Sequence, residues 1–192
     1  MKQGEDRRVT RTRKLLRQAL VKRMREKSVS SITVKELCDE CDINRGTFYT
    51  HYSDVASLLE SMETDLFAQL QQTLAKLSTE QVLSQQGPSR TMVALFEFLR
   101  DNADICAALL CDNGDPAFVE RVRMFVRQEV LGEWRKMFSD RDGERQEYTF
   151  AFLVSGSIGM LQHWLESGLT LTPEQMAGML TDFITQGVAV MH

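Results

Sequence analysis

The chain has 192 residues, 43% apolar and 26% charged, the balance of a folded globular protein rather than a disordered tail. No apolar run reaches the roughly 18–20 residues needed to cross a bilayer, which argues against a membrane-spanning helix. The net charge of −4 conceals an uneven distribution: residues 1–52 hold 13 basic and seven acidic groups, while residues 53–192 hold ten basic and 20 acidic groups.

A +6 head on a −10 body suggests one polyanion-binding end, although a charge-rich first helix also suits a simple solvated face. Apolar residues recur at three- and four-residue spacing without sustained alternation, which predicts an all-α fold. A first helix is expected from Thr10 to Glu26, burying Leu16, Ala19, Leu20 and Met24. Thr33 and Glu36 have the spacing of a capping box, starting a short helix that runs to Cys41. Asp42-Ile43-Asn44 breaks it, and Asn44 suits the cap of another short helix reaching Tyr52. Ser53-Asp54 supplies a further cap, after which Val55 to Leu77 reads as one long helix. A polar loop is expected over 78–88, then helices over 89–101, 104–111, 116–138, 145–167 and 173–190, with turn chemistry at 112–116 and 140–143. Pro88, Pro116 and Pro173 each stand where a helix can begin. The reading is three helices in a head (1–54) and about six in a body (55–192).

Two short helices joined by a tight turn need apolar anchors inside, and Leu37, Cys38, Cys41, Ile43, Phe48 and Tyr52 provide them. The outer face of the second helix then presents Arg45, Gly46, Thr47, Tyr49, Thr50 and His51. Such a helix fits the major groove of DNA, with its first residues at the base edges. Arg45 suits guanine O6 and N7, Thr47 a thymine methyl or a phosphate, and Tyr49 and His51 the backbone. Gly46 permits close approach, while Thr33 and Lys35 flank a phosphate site at the preceding helix start.

The run ITVKELCDECDINRGTFYTHYSDVASLL, Ile32 to Leu59, resembles the DNA-binding signature of the TetR family of bacterial regulators. The segment GMLQHWLESG from Gly159 to Gly168, followed by Pro173-Glu174, is similar to the final helices of a subgroup common in Gram-positive bacteria. Two departures stand out: Asp42 occupies a turn position where many relatives have glycine, and Val55 replaces a lysine that contacts phosphate. Arg7, Arg8, Arg11 and Arg13 of the basic arm are expected to compensate.

The resemblance implies DNA-contacting roles for Thr33, Lys35, Asn44, Arg45, Gly46, Thr47, Tyr49, Thr50 and His51. It implies a small-molecule effector among the middle helices, with Phe67, Phe96, Leu99, Phe118, Val122 and Phe125 as lining or as core. It also implies a homodimer through Phe152, Gly156, Gly159, Leu161, Trp164, Met176, Met179 and Phe183, binding a palindromic double-stranded operator. The expected activity is ligand-responsive repression; an activator or co-activator, or an interaction module that has lost DNA binding, are the rivals. Cys38 and Cys41 read as core rather than a metal or redox half-motif, and Cys106 and Cys111 lack a second ligand pair. No catalytic set, metal site or cofactor is expected. The N-terminus lacks the apolar stretch of a signal peptide, and the four cysteines read as reduced thiols, so a cytoplasmic protein without membrane association is expected.

Overall fold

The computed structural model describes residues 2–75, 90–110, 115–137 and 143–189. Among these, nine α-helices and one 3-10 turn, Val29–Ser31, form the molecule, and there is no strand. The helices are α1 (Lys2–Met24), α2 (Val34–Cys41), α3 (Arg45–Tyr49), α4 (Val55–Ala75), α5 (Arg90–Asp101), α6 (Ala103–Leu110), α7 (Pro116–Met137), α8 (Gly143–Glu166) and α9 (Pro173–Ala189).

The expected elements are present, with three differences. Helix α1 begins at Lys2 rather than Thr10, taking in the polar stretch before Thr10. Having almost no apolar residues, that stretch gives no periodic signal. Helix α3 ends at Tyr49, and His51 and Tyr52 continue as a turn through amides bonded to the Phe48 carbonyl at 2.9 and 3.0 Å. The turn at Val29–Ser31 was not anticipated. The expected loop over 78–88 lies outside the described residues, as do Cys111 and most of the turns expected at 112–116 and 140–143.

Local chemistry fixes the helix starts. The Thr33 hydroxyl accepts from the Glu36 amide, and the Glu36 carboxylate accepts from the Thr33 amide. Asp54 accepts from the Ser57 amide at 2.7 Å to start α4. Pro116 and Pro173 stand first in α7 and α9, where a missing N–H breaks no helical bond. Asp115 and Thr172 cap those starts through the amides of Ala117 and Gln175.

One apolar cluster runs through head and body. Leu16, Leu20 and Met24 of α1 meet Leu37, Phe48, and Leu58 and Met62 of α4, and the cluster continues to Phe96, Leu109 and Trp164. Packing is therefore continuous across residue 54. Trp164 anchors the far end: its ring meets Phe96 edge-on at 5.4 Å, and its indole N–H donates to the Leu171 carbonyl at 3.0 Å. Gly168 (φ 78°) and Leu169 (φ 59°) reverse the chain between α8 and α9 in left-handed geometry. A smaller cluster, Phe150, Val154 and Ile158 with Val119, joins α8 to α7.

Candidate nucleic-acid interface

Helix α3 is held from beneath. Leu37 and Cys38 of α2 and Phe48 of α3 are buried together, and the Phe48 and Tyr52 rings lie 6.0 Å apart. Asp42 ends α2 in the left-handed region (φ 52°, ψ 48°), so it performs the turn expected of glycine. The Ile43 amide closes this turn on the Cys38 carbonyl at 3.0 Å. The Asn44 side chain then accepts from the Gly46 amide at 2.7 Å, setting the direction in which α3 departs.

Fixing Phe48 inward puts the other face outward. Arg45, Gly46, Tyr49 and Thr50 are exposed, Tyr49 by 58%, and Thr47 and His51 are partly covered. Tyr49 meets Phe48 edge-on at 5.6 Å, which limits its rotation. The Thr50 hydroxyl donates to the Thr47 carbonyl at 2.7 Å. Lys35 is exposed at the start of α2. The Thr33 hydroxyl is committed to Glu36, both accepting from its amide and donating to its carboxylate at 2.9 Å.

Charge is sorted in the same way. Lys22 and Arg23 of α1 bind Glu40, and Lys27 binds Glu36 at 2.7 Å, so two acids of α2 are neutralised from behind. The Lys27 ammonium and the Thr33 donors hold the Glu36 carboxyl down to about 2. Arg8, Arg11, Arg13 and Lys14 are exposed on α1; of these only Arg8 precedes the expected helix start at Thr10, and it too is helical. Val55 is buried in the core, so its side chain does not face a phosphate. Burial pushes the Cys38 and Cys41 thiols up, which disfavours reactive thiolates and agrees with packing roles.

In the body, Phe67 lies 5.3 Å from Phe118 and 5.9 Å from Phe125, forming an aromatic cluster between α4 and α7. Phe96 packs on Trp164, and Phe96, Leu99 and Phe118 are buried in the main core, with Phe67 and Val122 packed against it. A surface cleft of about 340 Å³ is lined by Gln69, Gln72, Thr73, Glu97, Asp101 and neighbours, and none of the six expected pocket residues borders it. Sequence reading also missed Glu63, a buried carboxylate that accepts from Arg121 of α7.

The expected dimer residues divide into two groups. Phe152 (76% exposed), Phe183 (58%) and Met179 face outward, and Gly156 and Gly159 have open space where a Cβ would stand. Trp164 and Met176 are buried inside the protomer and Leu161 packs against its core, a correction caused by the rotation of α8 and α9 about their axes. Tyr148, 72% exposed, lies one turn before Phe152 on the same outward face of α8. The four-residue spacing from Tyr148 to Phe152 carried that signal.

Residues 86–186 match the TetR-type family model for the transcriptional regulator C-terminal region. The chain is similar to two proteins of Bacillus subtilis named as uncharacterized HTH-type transcriptional regulators. It is 28% identical to YxbF over 93% of the chain and 46% of that protein, and 24% identical to YuxN over 93% and 63%. The chain thus spans about half to two thirds of the length of these relatives. Its fold is similar to that of a TetR transcriptional regulator from Streptococcus agalactiae, with a TM-score of 0.66 and 24% identity over 96% of this chain and 99% of the other. No helix among the described residues is long and apolar enough to cross a membrane.

Proposed function

The chain belongs to the TetR family of transcriptional regulators, and from that premise we propose that it is a cytoplasmic, homodimeric, ligand-responsive repressor that reads a palindromic operator. The observation that carries the DNA-binding part is the division of α3: Phe48 is buried while Arg45, Gly46, Tyr49 and Thr50 stand exposed. Arg45 takes guanine O6 and N7 in the major groove, and Tyr49, Thr50 and His51 take the backbone. Lys35 and the amides at the start of α2 hold a phosphate, with Thr33 shaping that start. The exposed apolar residues Tyr148 and Phe152 of α8 and Met179 and Phe183 of α9 support pairing with a second copy. A two-fold pair of heads reads half-sites in successive major grooves.

The test is selection of bound DNA from a random pool by purified protein, repeated with Arg45→Ala. Wild type is expected to recover a palindrome, and the variant to lose about 1–3 kcal/mol with relaxed preference at one base pair per half-site. Recovery of no enriched sequence would favour an interaction module. Loss of the gene is expected to raise output from the regulated promoter; a fall would make the protein an activator. A ligand that favours the non-binding head spacing by about 1–3 kcal/mol suffices to switch it.

A further inference from the structure

Helix α4 leaves the head and enters the body, and within one turn it is gripped from both sides. Arg17 of α1 donates through Nη2 to Ser61 Oγ at 3.2 Å and to the Asp65 carboxylate. Ser61 and Asp65 are four residues apart and share a face of α4. Glu63, midway between them and about 200° around the helix from Ser61, accepts from Arg121 of α7. The head therefore holds one side of α4 and the body holds the other at the same height.

Arg17 also reaches the end of the reading segment. The buried Tyr52 hydroxyl lies near the same guanidinium without a hydrogen bond to it, and its ring packs on Phe48 and, at 6.4 Å, on His51. Arg17 thus bonds α1 to α4 beside Tyr52, three residues beyond the end of α3. The Arg17–Asp65 pair is partly exposed on both sides, 30% and 49%, so it contributes little to stability. Its geometry is what matters: Nη2 is bonded to two side chains one turn apart on α4, which resists rotation of α4 against α1.

We propose that Arg17 is a positioning residue for operator choice: its bonds to Ser61 and Asp65 fix the angle of the head on α4 and so select the spacing between half-sites. The proposal rests on the dimeric, palindrome-reading function given above. One added base pair moves a half-site by about 3.4 Å and rotates it by roughly a tenth of a turn. A stiffly held head rejects that change, and a loosened one follows it.

The experiment uses the full chain as wild type, Arg17→Lys and Asp65→Asn. Affinities are measured for the selected operator, for versions with the centre lengthened or shortened by one base pair, and for a single half-site. Wild type is expected to lose about tenfold or more on respacing and both variants only about threefold, with half-site affinity and Tm nearly unchanged. An unchanged respacing penalty in both variants would overturn the proposal, as would equal weakening on every DNA. Failure of wild type to select any palindrome would overturn the function beneath it as well, which separates the two failures.

Discussion

Thr33 and Glu36 exchange hydrogen bonds in both directions: the Thr33 amide donates to Glu36 Oε2 at 2.9 Å, and the Glu36 amide donates to Thr33 Oγ1 at 3.3 Å. With Lys27 bonded to Oε1, this arrangement requires the carboxylate to be ionised. Its value near 2 lies below the ordinary carboxylate range, so the stability it lends is present above about pH 4.3 and lost as pH falls towards the folded value. Glu36→Gln is expected to flatten this acid-side loss in melts followed from pH 6 to 2.5. Thr33→Ala is expected to cost about 1 kcal/mol through the lost cap.

A second prediction concerns the opposite sign. Burial raises the pKa of Glu63, with the Arg121 bond opposing it, so ionised Glu63 weighs against the fold as pH rises through its folded value. Glu63 is 2% exposed, whereas the Arg121 side chain is 47% exposed. Removing the arginine strands a buried charge; removing the charge leaves a solvated arginine. Arg121→Ala is expected to destabilise by about 3 kcal/mol in urea at pH 8, and Glu63→Gln by less than about 1. The gap between wild type and Glu63→Gln should move in favour of wild type at pH 5.

The left-handed Asp42 gives a third. Asp42→Gly is expected to be neutral or to stabilise by up to about 1 kcal/mol, and Asp42→Val to cost more than about 1, because a β-branched residue fits φ 52° poorly. Urea titration of the full chain reads both.

The outward face of α8 and α9 gives a fourth. Phe152→Glu is expected to shift the sedimenting species to protomer mass while the helical signal is kept. A Cβ at Gly156 meets nothing within 4 Å in the protomer, so Gly156→Ala should strengthen α8 by about 1 kcal/mol. Its effect on association reports whether a partner helix lies close there.

The head was legible in the sequence because its rules are local. Caps at Thr33, Asn44 and Asp54, the left-handed Asp42, and the i, i+4 pair Phe48 and Tyr52 all operate within a few residues. Residues 2–9 were not legible as helix, since a polar helix has no apolar period to detect. Nor were Arg17–Asp65 and Arg121–Glu63, whose partners lie 48 and 58 residues apart and meet only once helices have docked. Phe67 and Phe96 looked equivalent as apolar residues on middle helices. Helix rotation separates them, sending one to Phe118 and the other to Trp164. The same rotation decides which of Phe152 and Trp164 faces outward.

Trp164 has a use that its packing role does not suggest. It is one of two tryptophans in the chain, almost wholly buried, edge-on to Phe96 and tied by its N–H to the α8–α9 connection. An indole so enclosed emits at short wavelength, and any rearrangement that lets solvent reach it shifts the emission to the red. With Trp134→Phe silencing the other indole, the body carries its own optical gauge, able to register loosening of α5 against α8 with no label attached.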